Sequence, residues 1–362
     1  MNRPIVRVAA DESLRALELL REALETESFA VEIVNSAPES ASQNLGAGLQ
    51  TTHPRTALVL HTSGSTGRPK KVELSAEALR ASAAASAERI GSGQWLLTLP
   101  INYIAGAQVL IRSIWADTQP IVLTGGVTPK SLAEATSRMD SENRFLSLIP
   151  TQLRRISQYL EQPSELVTTL REYRAILVGG QLPDSELIHR LKQSGVPIVT
   201  SYGLTETSGG CVYDGVPLEG TSVRLDSDGT IEISSVQLAE GIGPWFRTAD
   251  LGEISDGKLR VLGRRDRVIN SGGIKLALEL VEEKTLEIPG VEDCCAVALD
   301  DADWGQRVGL LVAGSPQNPP AEWLRDQFGV AAVPARLIVG AVIPRLDSGK
   351  PDYESARALL LG

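Results

Sequence analysis

The chain has 362 residues, which is long for a single hydrophobic core, and this length predicts a large domain followed by a smaller one. Its 42% hydrophobic and 22% charged residues are typical of globular proteins, and no apolar run reaches the ~20 residues that a membrane-spanning helix needs. The net charge of −10 argues against nucleic acid or an anionic membrane as the main partner.

The amino-terminal segment and the cysteines predict a cytoplasmic protein. Residues 1–20 carry acidic residues early and lack the apolar core and cleavage site of a secretory signal. The three cysteines, Cys211, Cys294 and Cys295, form no C-x-x-C pair, and the chain holds only three histidines. Reduced, buried thiols are therefore expected rather than disulfides or a zinc site.

Leucines near the amino terminus recur at helical spacing, which predicts a helix over residues 13–26. Short apolar runs then alternate with amphipathic stretches, which predicts βα units around a largely parallel sheet. Function in such sheets gathers at the carboxyl ends of the strands. The predicted strands cover residues 57–60, 95–99, 120–123, 145–149, 175–178 and 197–200, and the predicted helices 75–90, 104–116, 130–139, 151–161 and 184–194.

The pattern changes after residue 210 to short alternating runs with turn signals, which predicts a small, mostly antiparallel β region up to about Gly263. The remainder predicts helices near 277–288 and 320–328, strands near 294–299, 307–313 and 336–343, and a terminal helix from 352. We therefore expect an α/β protein. Residues 1–265 would form a large domain with a mostly parallel βα sheet plus the small β region, and residues 266–362 a small α+β C-terminal domain.

The segment HTSGSTGRPKK, residues 61–71, concentrates hydroxyl groups, glycines and lysines after the first predicted strand. It is not a P-loop, because Pro69 stands where the second glycine is required and Lys71 where Ser or Thr is required. Pro69 also removes a backbone donor and disfavours a helical Arg68, so the segment does not open a phosphate-binding helix. A loop that wraps phosphate oxygens remains, with a polar surface turn as the alternative.

Five segments together resemble the adenylate-forming superfamily, which holds acyl-CoA synthetases, luciferase-type enzymes and peptide-synthetase adenylation domains. They occur in family order from about residue 57 to the C-terminus. The segments are TSGSTGRPK (62–70), SYGLTET (201–207), FRTADLGE (246–253), GRRDRVINSGGIK (263–275) and PRLDSGKPD (344–352). The resemblance implies an ATP- and Mg²⁺-dependent acid–thiol ligase that forms an acyl-adenylate and passes the acyl group to CoA.

The resemblance also implies which residues bind the nucleotide. The tyrosine ring of Tyr202 would lie on adenine, the Thr205 hydroxyl at the α-phosphate, and Glu206 on Mg²⁺, where one carboxylate fits an ion held mainly by phosphates and water. Asp250 would accept hydrogen bonds from the ribose hydroxyls, with Arg264 nearby. The remaining nucleotide-side residues implied are Thr62, Ser63, Gly64, Ser65, Thr66, Gly67, Lys70, Gly180, Gln181, Ser201 and Gly203.

The C-terminal segments of the resemblance imply a mobile domain with two working faces. Lys350 matches the family's catalytic lysine, a cation that bridges the entering carboxylate and the α-phosphate. Asp266 matches the hinge about which the domain rotates after adenylation. Ser271, Gly272 and Gly273 would lie on the face that admits the thiol arm of CoA, and a plain glycine turn is the alternative for them. Ala249 and Leu278 depart from the family's usual Gly and Pro.

Three segments, residues 99–113, 147–156 and 200–220, resemble the short bacterial o-succinylbenzoate–CoA ligases of menaquinone biosynthesis. That resemblance implies an aromatic dicarboxylic acid as substrate, in a flat apolar pocket with a polar or cationic contact for the unreacted carboxylate. Many of these ligases have His-His where this chain has Asn102-Tyr103. The lining candidates are Tyr103, Gly106, Gly180, Ser208 and Gly209; Arg154 and Arg155 are either anchors or solvated surface charges.

Three alternatives stay open at this point. The chain could be another aryl- or acyl-CoA ligase, or an adenylating enzyme that serves a carrier protein. From a different class, it could be a nucleotide-binding module without turnover, although Lys70, Thr205, Glu206, Asp250, Arg264 and Lys350 together argue against that. The sequence leaves a homodimer open.

Overall fold

The computed structural model describes residues 2–35, 51–63, 69–157, 165–182, 184–346 and 349–362. Its strands are β1 Arg3–Ala9, β2 Ala30–Val34, β3 Thr51–Thr52, β4 Thr56–Ser63, β5 Pro69–Ser75, β6 Gln94–Leu97, β7 Ile121–Val122, β8 Arg144–Leu148, β9 Ala175–Gly179, β10 Ile198–Leu204, β11 Gly209–Tyr213, β12 Val216–Pro217, β13 Thr221–Leu225, β14 Thr230–Ser235, β15 Phe246–Ser255, β16 Lys258–Arg264, β17 Val268–Ser271, β18 Ile274–Ala277, β19 Val291–Asp301, β20 Gly305–Gly314 and β21 Arg336–Val339.

Its α-helices are α1 Ser13–Thr26, α2 Ala76–Ile90, α3 Ile104–Trp115, α4 Pro129–Thr136, α5 Pro150–Ser157, α6 Glu165–Arg171, α7 Ser185–Gln193, α8 Leu278–Leu286, α9 Pro320–Phe328 and α10 Tyr353–Leu361. The helices predicted from the sequence are confirmed in type and approximate bounds, except that residues 158–161 of the helix predicted at 151–161 lie outside the described residues. Helix α6 was not predicted. Within the part of the chain that the structure describes, no helix is long and apolar enough to cross a membrane.

The first sheet has the order β3-β1-β2-β4-β5, with β1, β2 and β4 parallel to one another and β5 antiparallel to β4. Helix α1 buries Leu17, Leu20 and Leu24, as its leucine spacing predicts, whereas Leu14 is 56% exposed. The prediction of one sheet for residues 57–200 is wrong. The run 57–60 pairs with β2, a strand that the sequence analysis did not identify, and so lies in this separate sheet.

The second sheet has the order β12-β11-β10-β9-β8-β6-β7 and carries helices on both faces. Strands β7, β6, β8, β9 and β10 are mutually parallel, and β11 returns antiparallel to β10. Trp95 and Phe145 stack with ring centroids 4.9 Å apart in a core that α1, α2 and α3 share with the first sheet. Helices α4 to α7 contribute to a second core on the opposite face.

Two smaller sheets follow along the chain. Strands β13 to β16 form an antiparallel sheet, which confirms the small β region predicted before Gly263. The last sheet has the order β18-β17-β20-β19, with β21 parallel to β20, and it packs with α8, α9 and α10. We call this sheet with its helices, residues 268–362, the C-terminal unit.

Candidate active site

The carboxyl ends of three parallel strands, β8, β9 and β10, meet at one edge of the seven-stranded sheet. Gly179 at the end of β9 lies opposite Ser201 in β10, and a Cβ on Gly179 would come within 2.5 Å of the Ser201 carbonyl oxygen. Gly180 follows with a φ of +88°, and its position faces the Ile149 side chain after β8. Gln181 lies beside it and is half-buried. These segments therefore share one rim, as the sequence predicts for ligand-binding loops.

The strand predicted at residues 197–200 extends further than the sequence indicated, so its predicted C-terminal bound is wrong. Ser201 to Leu204 continue β10, because β11 returns antiparallel and pairs with them. The pairing is so close that a Cβ on Gly203 would lie 2.0 Å from the Gly209 carbonyl oxygen. Glycine at 203 is therefore required by the strand contact, and the reversal directly after β10 places Thr205 and Glu206 at the rim.

Tyr202 and Asp250 bring the second and third sheets together. The Tyr202 phenol donates a 2.8 Å hydrogen bond to Oδ2 of Asp250, a buried residue of β15. Burial raises the pKa of Asp250, although the Tyr202 hydrogen bond and the charge of Arg264 oppose the rise. Burial and the charge of Asp250 raise the pKa of Tyr202. The pair presents one fixed carboxylate next to an aromatic ring, a suitable combination for a nucleoside.

Arg264 lies across the strand pair from Asp250. The two residues are register partners in β15 and β16, and Nη1 of Arg264 is 4.0 Å from Oδ1 of Asp250. Its guanidinium also donates two hydrogen bonds, of 2.8 and 2.7 Å, to the carboxylate of Asp266. These bonds lower the pKa of Asp266 and raise that of Arg264. Arg264 thus links Asp250, the candidate ribose contact, to Asp266, which lies two residues before the C-terminal unit.

Glu206 and Lys70 face each other at the rim. Nζ of Lys70 lies 3.3 Å from Oε1 of Glu206, whose side chain is 14% exposed. Among the described residues, no cluster of three or more His, Cys, Asp or Glu could hold a metal by itself. One carboxylate beside a lysine nevertheless fits a Mg²⁺ ion that takes its other ligands from phosphates and water.

The two ends of the predicted phosphate loop belong to the paired strands β4 and β5. Thr62 and Ser63 belong to β4 and pair with Lys70 and Pro69 of β5. This pairing places Lys70 directly across from Thr62, whereas the sequence predicted a loop over this whole stretch. Gly64, Ser65, Thr66 and Gly67 lie outside the described residues.

Ser208 and Gly209, two lining candidates, are buried under helix α3. The Ser208 hydroxyl donates a 2.7 Å hydrogen bond to the Gln237 carbonyl. The backbone carbonyl of Ser208 accepts a 2.6 Å hydrogen bond from Nε2 of Gln108 and a 3.1 Å hydrogen bond from the Ser82 hydroxyl. A Cβ on Gly209 would approach Gln108 to 3.0 Å. The Ser208 hydroxyl is therefore engaged with main chain. Sequence reasoning missed Gln108, although a glutamine inside the apolar run IAGAQVLI signals a buried polar contact.

The other lining candidates lie at the start of α3. Tyr103 is the N-cap residue of this helix and is half-buried. Gly106 is buried, and a Cβ there would lie 2.2 Å from the Pro100 carbonyl oxygen, so its smallness serves helix packing. Asn102 donates a 2.7 Å hydrogen bond to Asn35, which follows β2. The asparagine that replaces the usual histidine thus has a polar partner that the sequence did not reveal.

Arg154 and Arg155, the two alternative anchors, have different surroundings. Arg154 forms an ion pair with Asp184 and donates to the Leu286 carbonyl, so it is neither a solvated surface charge nor free for a substrate. Of the two interpretations of Arg154, the one as a solvated surface charge is therefore wrong, because its guanidinium contacts Asp184 and Leu286. Arg155 is exposed.

Lys350 belongs to the C-terminal unit, yet its charge interacts with the nucleotide-side residues. Its side chain keeps contact with solvent, but partial desolvation and repulsion by Arg264 lower its pKa, whereas Asp250 raises it. Asp250 and Arg264 lie in the third sheet, 100 and 86 residues earlier in the chain. The structure therefore brings the C-terminal lysine to the side of the Tyr202–Asp250 pair.

Ser271, Gly272 and Gly273 form the tip of a two-stranded hairpin within the C-terminal unit. Gly272 and Gly273 have φ values of +59° and +88°, the combination that a two-residue hairpin turn requires. Trp304 packs on Gly272, where a Cβ would lie 2.6 Å from the ring. The turn joins β17 to β18.

Comparisons with known proteins agree on a family. The model of the AMP-binding enzyme family matches residues 5–234. A probable 2-succinylbenzoate–CoA ligase of Mycobacterium tuberculosis (strain H37Rv) is 39% identical over 319 residues, which cover 82% of each chain.

Two solved structures share the fold. The o-succinylbenzoate CoA synthetase of Bacillus subtilis in complex with its acyl-adenylate intermediate OSB-AMP has a TM-score of 0.74 and 21% identity, covering 93% of this chain and 80% of that chain. The same synthetase in complex with ATP and a magnesium ion has a TM-score of 0.73 and 20% identity, covering 94% of this chain and 82% of that chain.

Proposed function

Since the chain belongs to the AMP-binding enzyme family, we propose that it is an ATP-dependent ligase that joins o-succinylbenzoate to CoA, a step of menaquinone biosynthesis. The carboxylate would attack the α-phosphate of ATP, and pyrophosphate would leave. The CoA thiol would then attack the acyl carbon, and AMP would leave. The 39% identity to a probable 2-succinylbenzoate–CoA ligase over most of both chains supports this choice of acid.

The observation that carries the proposal is the placement of Lys350. A cation from the C-terminal unit lies where the charges of Asp250 and Arg264 act on it. Adenylate formation brings two anions together, a carboxylate and a polyphosphate, so a cation between them stabilises the transition state. A module that only bound a nucleotide would not need a second unit to deliver this charge.

The nucleotide would lie along the rim in three parts. The ring of Tyr202 would stack on adenine, and Asp250 would accept hydrogen bonds from the ribose hydroxyls. Thr205 would donate to the α-phosphate at the end of β10. Arg264, next to Asp250, adds a positive charge on the ribose side. Hydrogen bonds to a carboxylate that is already buried are strong, because water does not compete for it.

Glu206 and Lys70 would hold the metal and the outer phosphates. Mg²⁺, when bound to Glu206, would neutralise charge on the phosphates and so ease the departure of pyrophosphate. Lys70 pairs with Glu206 at 3.3 Å and is 62% exposed, so it can turn to a phosphate at small cost. The hydroxyl group of Thr62 would lie at the same strand end, and Ser63 follows it in β4.

We assign residues 1–265 to the domain that binds ATP and acid, and residues 266–362 to a small domain that turns about Asp266. Asp266 supports this assignment because its two hydrogen bonds to Arg264 connect the two parts at the junction. Turning would withdraw Lys350 and present the hairpin at Ser271, Gly272 and Gly273 to the thiol arm of CoA.

The acid would lie between α3 and the ends of β8 and β9. Tyr103 and Gly180 line this space in the proposal, and Arg155 is the candidate contact for the unreacted carboxylate, since Arg154 is engaged elsewhere. Gly106, Ser208 and Gly209 would shape the wall through their backbone.

We place the reaction in the cytoplasm, where ATP and CoA are available and the three free, buried cysteines stay reduced. A homodimer stays a prediction, which light scattering of the purified protein would check.

The test is pyrophosphate release with ATP and Mg²⁺, measured with and without CoA for o-succinylbenzoate, benzoate and a medium-chain fatty acid. We expect sustained pyrophosphate release with o-succinylbenzoate when CoA is present, and none with benzoate or the fatty acid. Turnover with another acid would keep the reaction and overturn the choice of substrate. Acid-dependent release that never consumes CoA would indicate a carrier protein, and no release with any acid would overturn the ligase.

A further inference from the structure

Arg154 of α5 connects the seven-stranded sheet and its helices to the C-terminal unit. Its guanidinium forms an ion pair with Asp184, and both Nη atoms donate 3.4 Å hydrogen bonds to the carbonyl of Leu286. The side chains of Arg154 and Asp184 are only 17% and 15% exposed. Because water screens this pair little, the Coulomb attraction between its charges is stronger than in an ion pair on the open surface, and removing one partner would leave the other charge partly buried and unpaired.

The described partners of the Arg154 guanidinium, Leu286 and Asp184, lie at helix ends. Leu286 is the last residue of α8, and its carbonyl is among the last four of the helix, which accept no hydrogen bond from within it. A guanidinium is favourable there because the C-terminal end of a helix carries partial negative charge. Asp184 is the N-cap of α7 and accepts a 3.0 Å hydrogen bond from the Leu187 amide, which orients it toward Arg154.

The same region supports the loop that carries Lys350. Ile149 lies directly before α5, and a Cβ on Gly349 would come within 2.9 Å of its Cδ1. The C-terminal unit therefore contacts this side of the sheet at Leu286 and Gly349, and the Ser185 hydroxyl of α7 adds a 3.1 Å hydrogen bond to Oε1 of Glu283 in α8. In this orientation the charge of Lys350 interacts with Asp250 and Arg264. Loss of the Arg154 contact would loosen the orientation without changing any group proposed to touch substrate.

We propose that Arg154 is a positioning residue that holds the C-terminal unit in the orientation for adenylate formation. The inference rests on the proposed function, in which the unit turns about Asp266 between two half-reactions. A 3.4 Å hydrogen bond to a neutral carbonyl is long, and such a bond can open in every catalytic cycle. The ion pair with Asp184 keeps the guanidinium in place while the unit is away.

The first measurement is amide hydrogen exchange of the full chain without substrates, which needs no catalytic activity. Arg154→Gln should speed exchange about tenfold in the last turn of α8 and in residues 349–352, from the loss of a charge-assisted contact. Asp184→Asn is the second variant, since asparagine keeps the N-cap and removes the charge. Arg190→Gln is the control, because Arg190 is exposed on α7.

The second measurement separates the half-reactions. Arg154→Gln should lower acid-dependent pyrophosphate exchange about tenfold and change thioesterification of supplied acyl-adenylate less than about twofold. Arg154→Lys, which keeps a positive charge, should recover part of the rate of pyrophosphate exchange. A residue that only stabilised the fold would affect both half-reactions alike.

Two results would overturn the inference. One is amide hydrogen exchange in α8 that is as slow in Arg154→Gln and Asp184→Asn as in Arg190→Gln. The other is an equal loss of activity in both half-reactions of Arg154→Gln. If Arg154→Gln does not fold, Asp184→Asn decides by the same criteria. Failure of the proposed function would be distinct from either result. The wild type would then release no pyrophosphate with any acid, whereas the difference in amide hydrogen exchange between Arg154→Gln and Arg190→Gln would still be measurable.

Discussion

The phenol of Tyr202 donates a 2.8 Å hydrogen bond to Oδ2 of Asp250, and this bond ties β10 of the large sheet to β15 of the antiparallel sheet. Asp250 is only 8% exposed, and burial raises the pKa of its carboxyl group. The Asp250 carboxyl group thus lies in a buried position that disfavours its charged form. A buried acid with a perturbed pKa at a strand end is a feature of functional sites.

Asp250→Asn should separate stability from nucleotide binding. A carboxyl group whose pKa is raised on folding stabilises the fold at low pH, and this contribution is lost as the pH rises through the folded pKa. At pH 7 the variant should therefore melt at or above the wild-type temperature, with a smaller difference near pH 4. ATP binding should weaken about 10- to 100-fold, as for lost hydrogen bonds to a charged group. Thermal melts and calorimetric titration measure both; a clearly lower melting temperature at pH 7 would contradict the argument.

The sequence predicted helices well because helical spacing of apolar residues is a local signal. Helix α1 buries Leu17, Leu20 and Leu24 as its spacing requires. The division into two sheets could not be predicted in this way. It depends on β2, which pairs with β1 on one side and β4 on the other, and strand pairing between segments that are far apart in the chain leaves no local pattern.

Candidate site residues can be named from the sequence where a motif contains them, but not where they are identified only by a contact between distant parts of the chain. Tyr202, Glu206 and Asp250 come from motifs, and the structure places Tyr202 against Asp250. Arg154 could not be assigned, because its partner is the backbone carbonyl of Leu286, 132 residues away. A backbone acceptor has no side-chain signature, so sequence reasoning left this arginine between two interpretations.

Lys70 and Lys71 offer a matched pair of substitutions, since adjacent residues of β5 point to opposite faces. Lys70 faces Glu206, and Lys71 lies 2.6 Å from Glu73. Lys70→Ala should raise the KM for MgATP at least about tenfold and leave the free energy of unfolding within about 0.5 kcal/mol, because exposed ion pairs stabilise little. Steady-state kinetics and urea denaturation measure the two effects.

Lys71→Ala should show the opposite behaviour. Burial alone would raise the pKa of Glu73, but Lys71 and Thr52 lower it to about 2. This contribution to stability is present above the ordinary pKa of 4.5 and is lost as the pH falls through about 2. The variant should lose up to about 1 kcal/mol of unfolding free energy at neutral pH, with KM for MgATP nearly unchanged. A KM that rises equally in both variants would show that the two lysines do not have separate roles.

Gly203→Ala tests the close contact of β10 and β11. The added Cβ would lie 2.0 Å from the Gly209 carbonyl oxygen, so the strands must separate just before Thr205 and Glu206. We expect a loss of about 1–3 kcal/mol in unfolding free energy and a larger fractional loss of adenylation than of thioesterification. Gly243→Ala is the control, because nothing lies within 4 Å of the position that its methyl group would take, and its unfolding curve should match the wild type. Full stability of Gly203→Ala would contradict the contact.

The pH dependence of adenylation tests the role of Lys350. Partial desolvation and the charge of Arg264 lower its pKa, so the ammonium loses its proton at a lower pH than an ordinary lysine. If that charge is required, kcat/KM for pyrophosphate exchange should fall at a lower pH than the ordinary lysine pKa of 10.5 would give, since kcat/KM reports the free enzyme. Lys350→Arg should remove this alkaline limb whatever its absolute rate, because a guanidinium stays charged. Lys350→Ala should lower adenylation by at least about 10²-fold while largely sparing thioesterification of supplied adenylate. An alkaline limb that persists in Lys350→Arg would assign the titration to another group.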